Sequence, residues 1–172
     1  MDFIYELLDD EEYNYVWEYV YKNLDFKPNM KKNVVTFKID KPYIIYDISQ
    51  IEDENIDNSD VLIPKAFLNC IKKKEFIYAL DWHHSCFKYN PRKKLPPTNE
   101  RFLRVEDSRY LGGVYSASFP AFYPDGDYYL FIVNTFEWGY LTHPWQKKIW
   151  VFGKKLIAEI EKIKNYIGFV RI

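Results

Sequence analysis

Two stretches of the chain repeat apolar residues every three or four positions, which is the spacing of an amphipathic helix. The first follows the acidic run at residues 9–12, and acidic side chains stabilise the N-terminal turn of a helix. Its apolar positions are Tyr13, Val16, Trp17, Val20 and Leu24. The second lies close to the C-terminus and has its apolar stripe at Leu156, Ile160, Ile163 and Ile167. We therefore predict one helix near each end of the chain.

A third helix is predicted after the acidic segment at residues 50–60, which we interpret as a surface loop. Ser59 or Asp60 is a suitable N-cap, and Pro64 is acceptable in a first turn because that turn needs no backbone donor. The basic run at residues 72–74 suits the C-terminal end of this helix, where the helix dipole favours positive charge.

Short runs rich in Val, Ile, Tyr and Phe predict β-strands between the helices. These runs cover residues 34–39, 43–48, 76–89, 115–123, 127–134 and 146–152. Pro124-Asp125-Gly126 predicts a hairpin between the fourth and fifth runs, because Pro presets φ and Gly accepts positive φ. The order of the elements indicates an α+β fold over residues 1–172, a single domain in which a mostly antiparallel sheet is covered by about three helices.

The composition is that of a folded chain with an unusual number of aromatic rings. Of the 172 residues, 48% are hydrophobic and only 6 are Gly and 9 are Pro, which excludes a disordered or linker-rich chain. The 16 Tyr, 13 Phe and 5 Trp are more rings than a core of this size hides. We expect part of this aromatic surface to face a ligand or a macromolecular partner.

The charge argues against nucleic acid as a partner and is divided unevenly along the chain. The net charge is -1, whereas a domain that binds phosphate groups is usually basic. Residues 1–60 carry 15 acidic and 6 basic side chains, and residues 61–172 carry 10 acidic and 18 basic ones. The two parts either neutralise each other across the surface or form a docking face.

Cysteine usage and the N-terminus predict a cytoplasmic location. Cys70 and Cys86 are too few to form a disulfide framework, so we expect both to be reduced. The chain begins without the basic and apolar regions of a secretion signal, and no stretch approaches the roughly 20 apolar residues that a membrane helix needs. A membrane partner is therefore not expected.

All three histidines lie in two short segments that also contain tryptophan. The segments are Asp81-Trp82-His83-His84-Ser85-Cys86 and Leu141-Thr142-His143-Pro144-Trp145. On a strand, His83 and His84 point to opposite faces, and Asp81 shares the face of His83. At most one of the two adjacent histidines is then expected to join a shared site.

An Asp close to a His can orient the imidazole and hold it as a general base. His143 or Asp127 could approach such a pair from a neighbouring strand. The alternative interpretation is structural, with hydrogen-bonded histidines packed in the core beside Trp82 and Trp145. Because the sequence lacks a nucleophile motif such as the Gly-x-Ser-x-Gly elbow, these segments do not select a reaction.

A metal site is compatible with the residue types but lacks a sequence signature. His83 or His84, together with His143, Asp127 and Cys86, would supply the ligands. Zinc sites usually contain paired cysteines or histidines separated by two to five residues, and the sequence has no such pair. We therefore predict no metal and no cofactor.

Three segments distributed along the chain carry a family resemblance. They are Tyr78-Ala79-Leu80-Asp81-Trp82-His83-His84, Pro124-Asp125-Gly126-Asp127-Tyr128-Tyr129-Leu130-Phe131, and His143-Pro144-Trp145 leading to Val151-Phe152-Gly153-Lys154-Lys155-Leu156. With Phe26-Lys27-Pro28 and Tyr46-Asp47-Ile48-Ser49, they resemble the bacterial family called domain of unknown function 2716, whose members are small single-domain proteins. The family pattern has a single His, after a Gln, where this chain has His83-His84, and a Gly where it has Thr142. The resemblance thus favours His84 over His83.

The resemblance also groups the candidate site residues. It implies one constellation of Asp81, Trp82, His84, Asp127, His143 and Trp145. It implies no activity, because the family has no assigned function.

Two function classes remain open from the sequence. The first is a non-enzymatic binding protein of the immunity or inhibitor type, which acts on a macromolecular partner through an aromatic-rich surface. The second is a small-molecule-binding or hydrolase-like protein. In that case Asp81 orients His84, His143 and Asp127 lie opposite, and tryptophans form the walls of the pocket.

Overall fold

An antiparallel β-sheet of eight strands forms the centre of the computed structural model, which describes residues 1–31 and 34–172. In chain order the strands are β1 Tyr5–Leu7, β2 Tyr43–Asp47, β3 Ile77–Asp81, β4 Phe87–Tyr89, β5 Phe102–Glu106, β6 Val114–Ser118, β7 Tyr129–Val133, β8 Gly139–His143, β9 Lys148–Phe152 and β10 Val170–Arg171. The large sheet has the order β1-β4-β3-β7-β8-β9-β2-β10, and each neighbouring pair is antiparallel. Strands β5 and β6 pair with each other and form a separate hairpin, residues 102–118, that we call the arm.

Helices cover both faces of the large sheet. They are α1 Asp10–Asn23, α2 Asp53–Cys70 and α3 Lys154–Ile163. Because side chains alternate along a strand, Tyr78 and Leu80 in β3 pack with α1, while Ile77 and Ala79 pack with α2 and α3. The prediction of an α+β fold with a mostly antiparallel sheet and about three helices is confirmed. Within residues 1–31 and 34–172, no helix has the length and apolar character needed to cross a membrane.

The two terminal helices form where the sequence predicts them. The Asp9 carboxylate accepts a hydrogen bond from the Glu12 backbone N–H at 2.8 Å and so caps the first turn of α1. The residues that α1 buries follow at helical spacing and are Val16, Trp17 and Val20. Helix α3 likewise buries Leu156 and Ile160 against the sheet, but it ends at Ile163, so Ile167, the last residue of the predicted stripe, lies in the turn that follows the helix.

The middle helix starts earlier than predicted, and the predicted acidic surface loop at residues 50–60 is wrong. Glu52 and Asn55 form a reciprocal capping box that starts α2 at residue 53, so Pro64 lies inside the helix and not in its first turn. The residues that α2 buries are Ser59, Ile63, Ala66, Phe67 and Cys70. The acidic residues belong to the helix because negative charge is favourable at its N-terminus.

The predicted strand at residues 34–39 is wrong. The Lys27 backbone N–H donates to the Thr36 carbonyl at 2.9 Å, and the Lys38 N–H donates to the Leu24 carbonyl at 2.8 Å. These bonds hold the segment beside the chain that leaves α1, where its apolar side chains join the core on the α1 face. Its backbone groups are therefore satisfied without a partner in the sheet.

The predicted hairpin at residues 124–126 is also wrong. Strand β6 pairs with β5, and β7 pairs with β3 and β8, so the two runs that flank the turn do not pair with each other. The segment is a bend that leads from the arm to the large sheet, and Gly126 adopts the positive φ of +82° that its position predicts. Strands β1, β5 and β10 are too short or too polar to be predicted from their sequences.

Candidate functional site

The chain turns sharply after Asp81, where strand β3 ends. The His84 backbone N–H donates to the Asp81 carbonyl at 3.3 Å, and β4 begins only at residue 87. The prediction that His83 and His84 alternate on one strand is therefore wrong. Because both histidines lie in a turn, both imidazoles approach Asp127, and that of His84 also contacts Asp81.

Strand pairing brings the second carboxylate to this turn. Asp127 lies just before β7, whose first residue, Tyr129, is the partner of Asp81 in β3. Nδ1 of His84 is 2.9 Å from Oδ1 of Asp81 and 3.7 Å from Oδ2 of Asp127. Nδ1 of His83 is 3.2 Å from the same Asp127 oxygen. We call Asp81, His83, His84 and Asp127 the Asp-His cluster.

The carboxylates of the Asp-His cluster are buried and the imidazoles are exposed. Asp81 and Asp127 are each 7% exposed, whereas the side chain of His84 is 66% exposed. In the part of the chain that the structure describes, only histidines form ion pairs with these two carboxylates. Burial raises the pKa of Asp81, and the hydrogen bond to His84 opposes that shift. The same hydrogen bond raises the pKa of His84 above its usual value.

Asp81, His83 and His84 of the Asp-His cluster lie in the wall of an open cavity of about 600 Å³, which we call the cleft, whereas Asp127 is not among its lining residues. One side of the cleft is formed by the end of β1 and the start of α1, and the other side by the arm. Its lining residues are Leu7, Leu8, Tyr13, Asp81, His83, His84, Ser85, Cys86, Tyr110, Tyr115, Ser116 and Ser118. Of the residues that the structure describes, no Lys or Arg lines the cleft. The cleft therefore combines tyrosine rings with negative charge.

Trp82 supports the turn from the side. Its ring lies against the ring of His83 with a centroid separation of 3.6 Å. Its Nε1–H donates to the hydroxyl of Tyr21 in α1 at 3.0 Å. Trp82 thereby ties the histidine turn to α1 and positions His83.

His143 lies in the core and not in the cleft. It is fully buried; its Nε2 is 3.1 Å from the Tyr128 hydroxyl, and its Nδ1 accepts from the Gln146 backbone N–H at 3.2 Å. Burial lowers the pKa of His143 to about 4, and the nearby charge of Lys148 acts in the same direction. A neutral, hydrogen-bonded histidine fits the structural interpretation of this residue.

Tyr128 stands between the two histidine segments. Its ring packs against Trp82 at 5.6 Å, against His143 at 4.8 Å and against Trp145 at 5.3 Å between centroids. The structure thus brings together Asp81, Trp82, His84 and Asp127. Of the six candidate residues, only Asp81 and His84 line the cleft, and the expectation that Trp82 and Trp145 form the walls of the pocket is wrong for this cleft.

Sequence reasoning missed the tyrosines and serines that the arm contributes to the cleft. Tyr110, Tyr115, Ser116 and Ser118 line it, although they lie at least 24 positions from the histidine turn along the chain. They belong to no motif, so the sequence carries no signal for them. His83 has a clearer signal, its adjacency to His84. The strand prediction allowed only one of the two histidines in a shared site, and the family resemblance favoured His84.

The aromatic residues divide between the core and two surface elements. Where the structure describes the chain, no tryptophan is strongly exposed. The exposed aromatic residues are Tyr13, Tyr15, Tyr21, Tyr43, Phe102, Tyr110 and Tyr166. Three of them lie on α1 and two on the arm, which are the two elements that flank the cleft.

Neither cysteine is an activated nucleophile. Cys70 and Cys86 are both free and buried, and burial raises the pKa of each thiol to about 11. The Cys86 thiol also donates to the Asp81 carbonyl at 3.6 Å, which helps to hold the turn. Thiolate chemistry in the cleft is therefore disfavoured.

Comparison with known proteins shows one family. The model of the family described as "Protein of unknown function (DUF2716)" matches residues 7–157. The chain is 30% identical over 155 residues to "Uncharacterized protein YxiI" of Bacillus subtilis (strain 168), which covers 85% of this chain and 85% of that protein. No solved structure matches the chain. The resemblance seen in the sequence is thus confirmed, and the chain belongs to the DUF2716 family.

Proposed function

We propose that this protein is a non-enzymatic binding protein of the immunity or inhibitor type, and that its cleft receives a basic side chain of a partner protein. The observation that carries this proposal is the cleft itself, whose lining contains the buried Asp81 carboxylate, three tyrosine rings and, among the described residues, no Lys or Arg. The second buried carboxylate, Asp127, is paired with the two histidines of the lining. Such a surface complements a positively charged partner.

Charge at the rim supports a basic partner. Helix α1 begins directly after Leu8, which lines the cleft, and its first turn is acidic. Asp10 and Glu11 are exposed there, whereas Glu12 is neutralised by Lys88 at 2.5 Å. The exposed acids add to the negative potential of Asp81 and Asp127 and would steer a basic surface toward the cleft.

The tyrosines favour a guanidinium or ammonium group over a neutral one. Tyr13 lies on the α1 side of the cleft, and Tyr110 and Tyr115 lie on the arm, where their rings are stacked with centroids 4.7 Å apart. A cation near an aromatic face gains about 0.5–2 kcal/mol, more when it is desolvated. An inserted Arg would meet these rings at the sides and the carboxylates at the floor.

The arm supplies apolar contact area beside the cleft. Leu111 at its tip is fully exposed, and Phe102 and Tyr110 are about half exposed. Exposed apolar and aromatic side chains clustered on one small hairpin are typical of the anchors of a protein interface. An inhibitor could use them to fix its orientation while the cleft binds the charge.

Capture from a lysate of the source cells tests this proposal when surface variants are compared. Wild-type protein should retain a basic protein that then binds in purified form. Leu111→Asp and Asp127→Asn should each lose that partner, and Val61→Asp, an equally drastic change at an exposed site on α2, should keep it. Equal retention by all variants, or a purified partner that is not basic, would rule the proposal out.

A defined probe gives an independent test of the cleft. N-acetyl-arginine amide added to labelled protein should shift the amide signals of the histidine turn and the arm, with a dissociation constant on the order of millimolar for a single side chain. N-acetyl-glutamine amide is the neutral control and should produce no shifts. If neither compound perturbs these signals, the cleft does not bind basic side chains.

A second candidate is the small-molecule or hydrolase-like function, and the hydrogen bond between Asp81 and His84 favours it. An exposed imidazole held by a buried carboxylate is an arrangement used for general-base catalysis. Filling the cleft with Ser118→Trp should then abolish binding of small polar compounds in a ligand-observed NMR screen. Ser108→Trp adds the same ring to the arm outside the lining residues and should leave binding unchanged.

A further inference from the structure

We infer that Asp81, His84 and Asp127 form a binding site for a divalent transition-metal ion such as Zn²⁺. One nitrogen and two carboxylate oxygens of these residues lie within 4.8 Å of one another. The three ligands come from the end of β3, the following turn and the start of β7, which strand pairing holds together. The inference concerns a cation alone and does not depend on the proposed partner.

The separations between the ligand atoms suit one shared ion. Nδ1 of His84 is 2.9 Å from Asp81 Oδ1 and 3.7 Å from Asp127 Oδ2. Metal–ligand bonds of about 2.0–2.2 Å place neighbouring ligand atoms roughly 3.0–3.5 Å apart in octahedral or tetrahedral geometry. The His84 nitrogen thus lies close to the required separation from both oxygens, and small rotations of the three side chains would bring their ligand atoms onto one ion.

The negative charge of the two carboxylates also favours binding of a cation. Asp81 and Asp127 are both more than nine-tenths buried, and their ion pairs in the described structure involve only histidines. Two neighbouring buried carboxylates whose ion-pair partners are only histidines are costly unless a positive charge compensates them. A divalent ion would neutralise both and remain accessible through the open cleft.

The ligand set selects the class of metal. One imidazole nitrogen with two carboxylate oxygens suits Zn²⁺, Mn²⁺ or Co²⁺, whereas Mg²⁺ prefers oxygen ligands and retains its waters. His83, which contacts Asp127 and is stacked on Trp82, is assigned as a residue that positions that carboxylate. Three protein ligands leave at least one position on the ion for water or for a group of a bound molecule.

Calorimetric titration of metal-free protein with Zn²⁺ tests the site. We expect one ion per chain for the wild type, and we expect Mg²⁺ to give no comparable binding. His84→Ala removes an exposed ligand without disturbing the core and should weaken Zn²⁺ binding by at least about tenfold. Asp127→Asn should have a similar effect, and circular dichroism would show that both variants are folded.

Two controls make the result specific. Asp125→Asn removes an exposed carboxylate from the same loop, two residues from Asp127, and should leave Zn²⁺ binding unchanged. Titration with Co²⁺ adds a spectroscopic readout, because ligand-field absorption should appear with the wild type and disappear with His84→Ala. The inference is overturned if the wild type binds no Zn²⁺ at one ion per chain, or if His84→Ala binds it as tightly.

The outcomes for metal and partner are separable. Binding of Zn²⁺ without binding of N-acetyl-arginine amide would support the metal site and contradict the proposed function. Binding of N-acetyl-arginine amide without binding of Zn²⁺ would support the proposed function and contradict the metal site.

Discussion

Nδ1 of His84 lies 2.9 Å from Oδ1 of Asp81, three residues earlier in the chain, because strand β3 ends at Asp81 and a turn follows at once. The carboxylate is buried and the imidazole is exposed, so a buried group holds the imidazole at a position that solvent can reach. His143 has the opposite environment, since it is fully buried and bonded to Tyr128. The two histidine segments therefore have different physical roles.

Alanine substitutions should separate these roles in stability. His84→Ala is expected to lower the free energy of unfolding by less than about 1.5 kcal/mol, because the imidazole is exposed and water in the open cleft can replace its hydrogen bond to the buried Asp81 carboxylate. His143→Ala is expected to cost about 2–4 kcal/mol, because it leaves a cavity and removes the acceptor of the Gln146 backbone N–H. Urea unfolding at neutral pH measures both values. A large loss for His84→Ala would assign that residue a packing role and argue against its place in a binding site.

The stability of the fold should fall as acid protonates His143 in the unfolded chain. Burial lowers its folded pKa to about 4, against about 6.5 in an unfolded chain, so the unfolded state binds the proton first. The contribution of neutral His143 to the free energy of unfolding is complete above about pH 6.5 and is lost as the pH falls toward 4. About 2 kcal/mol of it is lost by pH 5.

His143→Gln isolates this effect, because the rest of the chain is the same in both proteins and its contribution cancels in the comparison. Urea unfolding at pH 7.5 and pH 5 should show the wild type losing about 2 kcal/mol more than the variant. Equal losses in the two proteins would mean that His143 is not held neutral in the core.

Gly126 and Gly153 both have a positive φ, but substitution by alanine should destabilise the protein by different amounts at the two positions. Gly153 has a φ of +89°, and a Cβ added there would lie 2.5 Å from Cβ of Trp138 and 2.7 Å from the Glu137 carbonyl oxygen. Gly126 has a φ of +82° with no atom within 4 Å of such a Cβ. We expect Gly126→Ala to cost about 1 kcal/mol from backbone strain alone, and Gly153→Ala to cost at least twice that.

Thermal unfolding of the two glycine variants measures the difference. The packing argument predicts a clearly lower melting temperature for Gly153→Ala than for Gly126→Ala. Similar melting temperatures would show that the start of α3 can shift away from Trp138.

The proximity of the candidate residues could be predicted from the sequence only in part, for reasons that particular residues make clear. Asp81, His84 and Asp127 are recognisable as polar residues at the ends of apolar runs, and the structure places them together. His143 follows a similar apolar run, yet it lies in the core because Tyr128 occupies the space between the two segments. A periodic hydrophobic pattern predicts the face of a strand on which a residue lies. It does not predict which side chain from a distant part of the sequence covers that residue.

Local interactions let the sequence by itself determine α1 with its Asp9 cap, the strands β2 and β9, and the apolar stripe of α3, because each depends on residues only a few positions apart. Tertiary structure alone decided which strands pair, that the arm stands apart from the large sheet, and that the arm and α1 enclose the cleft. These features depend on contacts between residues far apart in the chain, and such contacts are selected by the total burial and hydrogen bonding of the fold.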